Sequence, residues 1–214
     1  MHHLTPFTIG LVLLTASVSA QTRAATPTPT TSFVIVAGSQ FGPIRDSTMR
    51  ADLAKMFGGA VKDGDVSLGE GFCTPGTLVY PGTPDEVEIA WQDAAKSQVA
   101  FVRTMKPGGR WVTSRGVKIG TTLRELEKLA GTVLTFSGFD WDYGGGLEWK
   151  EATGAILLRI SPVPNQPARR GPQELEIVGD KLVRSNHPLI RKLRIVVEEM
   201  TQTWGTHFGE KECL

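Results

Sequence analysis

The sequence predicts an α+β fold: a mainly antiparallel sheet with two short helices packed on one face. Three observations predict it. Apolar residues alternate with polar ones in many short runs, the runs are separated by tight turns rich in Gly, Pro and Asp, and only two segments carry a helical spacing. Strands joined by tight turns pair with their neighbours, and the few helices are left to cover one side.

The helical segments come first because they match one another. Ile44 to Gly58, IRDSTMRADLAKMFG, aligns with Val117 to Gly131, VKIGTTLRELEKLAG, at an offset of 73 residues. The match reads as a tandem repeat, with pseudo-repeats near 33–105 and 111–160 followed by a C-terminal β extension, all in one domain over 32–214. Thr48 in the first segment and Thr121 or Thr122 in the second are placed to accept from unpaired helix N–H groups. Thr122 and Glu125 have capping-box spacing. Gly58 and Gly131 supply the left-handed residue that ends many helices. Met49, Leu53, Met56 and Phe57 form the apolar stripe of the first helix, and Leu123, Leu126, Leu129 and Ala130 that of the second.

Strands are predicted around both. Phe33 to Val36 is short and apolar, as in a strand buried on both faces. Val87, Ile89 and Trp91 alternate with Glu86, Glu88 and Ala90, and Gln98 to Met105 returns to complete a hairpin. Trp111-Val112 and Ala155 to Ile160 are β-like. Glu174 to Val178 and Lys181 to Arg184 flank Gly179-Asp180, a two-residue connection of the type II′ kind. Asn186-His187-Pro188 opens a helical turn, and Arg194 to Val197 is a strand.

Phe7 to Ala16 is apolar but too short to span a bilayer, and Val18-Ser19-Ala20 supplies the small residues of a cleavage site. Residues 1–20 therefore read as a signal peptide cut after Ala20, residues 21–31 as a Pro/Thr linker, and the chain as secreted or periplasmic. No other stretch is long and apolar enough to cross a membrane. Lys and Arg number 23 against 22 Asp and Glu, so no broad attraction to nucleic acid is expected. In an oxidising compartment, Cys73 and Cys213 either pair, tying the C-terminal tail to the first half, or remain two thiols. No paired ligand spacing for a metal, no nucleophile elbow and no phosphate loop is present, and no cofactor is expected.

The stretch from Ser137 to Trp149, SGFDWDYGGGLEW, concentrates the chemistry. With Thr135 to Tyr143 as a strand and Gly144 to Gly146 as a turn, Phe139, Trp141 and Tyr143 share one side. Trp141 then sits across from Trp149, and Asp140 and Asp142 face the other way with Glu148. Read blandly, this is a hairpin whose aromatic side is core. Read as a site, Asp140, Asp142 and Glu148 are an acid and base pair with a third carboxylate, and Trp141, Tyr143 and Trp149 are a stacking platform. Arg169-Arg170 and the group Arg191, Lys192 and Arg194 are further candidates, for an acidic partner.

The duplicated pattern of a β-branched residue, a Thr, a short helix with a Leu and then Gly, followed by a strand meander, resembles the repeat of β-lactamase-inhibitory proteins and of the small outer-membrane-assembly lipoproteins of the SmpA/OmlA type. GTTLRELEKLAG with GFDWDYGG is also similar to segments of secreted bacterial proteins of unknown function. This chain lacks a lipoprotein Cys after the leader. The resemblance implies an exported, non-catalytic binding or assembly module whose partner is a protein or an envelope component. The alternative from the residues themselves is a carboxylate-dependent or metal-assisted hydrolase using Asp140, Asp142 and Glu148.

Overall fold

The computed structural model describes residues 32–164 and 172–213. The predicted leader, the 21–31 linker and Arg169-Arg170 lie outside these residues. The fold is α+β, dominated by antiparallel strands. The hairpin of β3 (Val61–Gly69) and β4 (Phe72–Val79) is followed by that of β5 (Val87–Trp91) and β6 (Val99–Thr104), and β4 and β5 pair. Beyond β6 come β12 (Ile195–Thr203), β10 (Gly154–Pro162) and the edge strand β9 (Gly146–Glu151). β13 (Lys211–Glu212) joins β4 near Cys73. Two smaller sheets flank this one. One sets β1 (Val34–Val36) between β2 (Gln40–Phe41) and β7 (Val112–Thr113), and the other pairs β8 (Thr135–Ser137) with β11 (Leu182–Arg184).

Register sorts the side chains of the main sheet. Ile89 lies opposite Val102, and Val102 opposite Gln202. Met200 lies opposite Leu158, and Leu158 opposite Leu147. These residues form the buried face. The next row, Lys62, Leu78, Glu88, Arg103, Thr201, Leu157 and Glu148, takes the other face. There the Arg103 guanidinium bonds Glu88 and the Ser67 carbonyl, so the outer face is organised by charge.

Helix α1 (Arg50–Phe57) and helix α2 (Leu123–Ala130) feed the same core, through Leu53 and Phe57 and through Leu123 and Leu126. Two members of the predicted stripes are corrected: Met49, at 49%, and Leu129, at 37%, are exposed and lie outside the buried faces. α2 has its capping box: Thr122 Oγ1 accepts from the Glu125 N–H, and Glu125 accepts from the Thr122 N–H at 2.7 Å. α1 differs, because its N-cap is Met49 and Thr48 turns back to accept from the Arg45 N–H at 2.9 Å. Thr121 makes the same bond to the Lys118 N–H at 3.0 Å, and Gly58 and Gly131 donate to Ala54 and Glu127 at 2.9 and 2.8 Å.

An ion network binds α1 to the sheet. Asp63 receives Arg50, Lys96 and Thr77 at 2.8, 2.9 and 2.7 Å. Burial alone would raise its proton affinity, but these three partners outweigh it and hold the carboxyl at about 2.

Several expected strands are corrected. Only Ile35 of β1 is fully buried, since Val34 is 41% exposed at the rim of a three-stranded sheet. Residues 174–176 lie in a 3-10 turn (Pro172–Glu176), and Val178 makes a single parallel bridge to Phe139. The Gly179-Asp180 hairpin therefore does not form; Leu182 to Arg184 finds its partner in β8. The helical turn predicted from Asn186 settles at Ile190–Lys192.

Candidate functional site

The segment from Gly138 to Gly145 is a closed loop rather than the second half of a strand. Its backbone is bonded at every corner. Gly138 donates to Lys181, Phe139 to Ile177, Gly144 to Trp141, Gly145 to Ser137 and Gly146 to Tyr143, while Ile160 donates to Gly145. Three glycines allow this closure. A Cβ on Gly138 would run into the Gly179 carbonyl oxygen, one on Gly144 would lie 2.7 Å from the Trp141 oxygen, and one on Gly145 would strike the Ile160 carbonyl oxygen. Asp140 also takes a positive φ of 68°, which Asp tolerates better than most residues.

The loop sorts its aromatic residues differently from an alternating strand. Phe139 is buried against Phe136, whereas Trp141 and Tyr143 are 60% and 76% exposed. Trp149 is in the core, opposite Ile156 on β10, with its ring N–H on Glu151 and the Arg115 guanidinium over its face. The predicted Trp141–Trp149 pairing is thus corrected. β9 spends its hydrogen bonds on β10, and Gly145 packed on Ile160 stops the preceding residues from lying alongside it.

Trp141 and Tyr143 line an open groove of about 630 Å³ together with Asp140 and Asp142. Its other wall is the tip of the β3–β4 hairpin, with Glu70 and Phe72. Arg159 on β10 and Glu210 on the C-terminal tail complete it. Phe72 adds a third partly exposed ring, at 40%. Four carboxylates face one guanidinium, which is itself drawn toward Glu199 at 3.8 Å. His207 stands 3.4 Å from Glu210. Glu70 and Asp142 touch across the groove, and their hydrogen bond and mutual repulsion push the Glu70 carboxyl above its ordinary range.

No protein-family model matches the chain, and no curated protein or solved structure is found to be similar to it. The site must be read from its own geometry. Of the predicted site residues, the structure brings together Asp140, Trp141, Asp142 and Tyr143. Glu148 stands apart on the outer face of β9, 3.0 Å from Lys150. Arg191 forks onto Glu127 of α2 at 2.8 and 3.0 Å, and with Arg124, Lys192 and Arg194 it rims a separate hollow of about 430 Å³ beside that helix. Among the described residues no group of three or more His, Cys, Asp or Glu is arranged to hold a metal ion.

Glu70, Phe72, Arg159 and Glu210 are the groove residues that sequence reasoning missed. One signal pointed to two of them. Cys73 and Cys213 form a disulfide, with Cα atoms 5.2 Å apart, so the neighbours Phe72 and the 210 region are brought to one place.

Proposed function

We propose that this chain is an exported, non-catalytic binding module, and that its ligand-binding surface is the groove built on the Gly138–Gly145 loop. One observation carries the reading. A loop pinned at every corner presents Trp141 and Tyr143 to solvent, where neither ring contributes to the core. Exposed Trp and Tyr on a rigid support are the anchors that interfaces favour, because little conformational freedom is lost on binding. The apolar leader and the Pro/Thr linker support export to the periplasm or beyond. The matched Ile44–Gly58 and Val117–Gly131 segments, and their resemblance to repeats of exported inhibitory and assembly proteins, support a protein or envelope component as partner.

A carboxylate-dependent hydrolase is the second reading, favoured by one contact: the Glu70–Asp142 pair holds a proton-loving carboxyl beside a second one in an open groove. A single capture experiment from envelope extract separates the two. Under the binding reading, the wild-type chain retains a partner that Trp141→Ala/Tyr143→Ala loses, by about tenfold or more, with the melting temperature unchanged. Retention by the double variant equal to wild type removes the reading. Turnover of an envelope polymer that vanishes in Glu70→Gln/Asp142→Asn establishes the hydrolase instead.

A further inference from the structure

We propose that the groove seats a Lys- or Arg-bearing extended segment of a partner protein, its cationic heads lying on the Trp141 and Tyr143 rings and facing the surrounding carboxylates. This rests on the binding reading above and names the ligand chemistry. Charge decides between the candidates that aromatic rings attract. A neutral sugar stacks on the rings but brings no counter-charge to the Glu70–Asp142 pair, and covering two touching carboxyls without one is costly. A cation gains from both features, through attraction to the ring faces and through the negative field.

The Glu70–Asp142 contact points the same way. Two carboxyls touching across the groove repel one another, and that repulsion raises the proton affinity of Glu70. An ammonium or guanidinium group placed between them relieves the same repulsion. A bare metal ion does not fit, since no set of three or more ligating side chains is arranged to hold one among the described residues. The ligand must therefore carry its charge on its own hydrocarbon stem, as Lys and Arg do. An open groove walled by four segments distant in sequence suits a chain passing across it better than it suits a small enclosed amine.

The test is titration of the full exported chain with a short lysine oligomer, read by tryptophan fluorescence. Trp91, Trp111 and Trp149 are at most 2% exposed and Trp204 is half-buried, and a Trp204→Phe background leaves the exposed Trp141 as the reporter. The same oligomer with acetylated side chains and a neutral oligosaccharide are the comparison probes. The lysine oligomer quenches the signal, and its affinity falls about tenfold when salt rises from about 50 mM to about 500 mM. Glu70→Gln/Asp142→Asn, a surface change that leaves the fold intact, lowers affinity by about fivefold or more and removes the strengthening of binding as pH rises. Trp141→Ala/Tyr143→Ala, which lacks the reporter ring and is titrated by calorimetry instead, lowers it by about tenfold.

The inference is overturned if the acetylated oligomer or the sugar binds as tightly as the lysine oligomer, or if none of the probes binds. Sugar binding that the ring variants abolish overturns the ligand class while leaving the groove as a binding surface. Absence of binding by any probe, together with unchanged envelope capture by the ring variants, overturns both.

Discussion

Gly145 shows how much of the site rests on single residues. Its φ of 71° lies in the left-handed region, and a Cβ there would strike the Ile160 carbonyl oxygen, which belongs to backbone and cannot swing away. Gly131, at the end of α2, has a similar φ of 70° but nothing within 4 Å of an added Cβ. The pair separates dihedral strain from collision. Gly131→Ala is expected to cost about 1 kcal/mol, the ordinary penalty of a left-handed alanine. Gly145→Ala is expected to cost about 3 kcal/mol or more, and to release Trp141 and Tyr143 from their fixed positions. Denaturant titration of both variants checks this, and equal losses would mean that the loop relaxes without resistance. The triple glycine was legible as a turn. That Gly145 meets the Ile160 carbonyl of β10, while Gly144 and Gly146 meet the Trp141 and Tyr143 carbonyls of their own loop, was not, because local sequence does not specify which strand packs there.

Among the elements, α2 and the β5–β6 hairpin were the most legible. Thr122 and Glu125 carry a capping signature whose physics is local, and Val87, Ile89 and Trp91 alternate cleanly. The β3–β4 hairpin was not legible, although it is the longest among the described residues and forms one wall of the groove. Its strands include Gly64, Gly69, Pro75 and Gly76 and charged residues at 62, 63 and 65, all poor strand formers in isolation. Tertiary contacts compensate: Asp63 gathers Arg50, Lys96 and Thr77, and Arg103 reaches the Ser67 carbonyl.

The tip of that hairpin carries a pH dependence with a definite sign. The bond to Asp142 raises the Glu70 carboxyl in the folded chain, so the contact is complete below the ordinary Glu range and is lost as pH rises through the raised value. Asp63 behaves oppositely. Its carboxyl is held at about 2, so its ion pairs persist above the ordinary Asp range and fail only as pH falls toward that value. Trp141 emission is therefore expected to shift across the mildly acidic range in the wild type and to stay flat in Glu70→Gln, while the fold itself holds. A shift that survives in Glu70→Gln would assign the titration to another group.

At the scale of the whole molecule, the Cys73–Cys213 disulfide joins the stability of the chain to the shape of the groove. The two residues are 140 positions apart, and closing so long a loop removes much of the freedom of the unfolded chain, by about 5 kcal/mol in the chain-entropy model and often less in practice. In the folded state the same bond holds the tail against β4, where Cys213 donates to Gly71 at 2.7 Å and Thr74 donates to the Phe208 carbonyl at 2.6 Å. Phe72 and Glu210, close in sequence to the two cysteines, both line the groove. Core packing does not depend on the disulfide, because Ile89, Val102, Leu158 and Met200 are fully buried in strands that the tail does not interrupt. Replacing both cysteines with Ser should therefore leave a folded protein, less stable by about 2 to 5 kcal/mol. The freed tail withdraws one of four carboxylates from the groove, which weakens the lysine oligomer by up to about fivefold, the worth of one exposed charge pair. Denaturant titration and the fluorescence assay read the two effects separately. A variant that loses stability but keeps full affinity would show that the pairing of β13 with β4 holds the wall unaided, and that the disulfide acts on the unfolded chain alone.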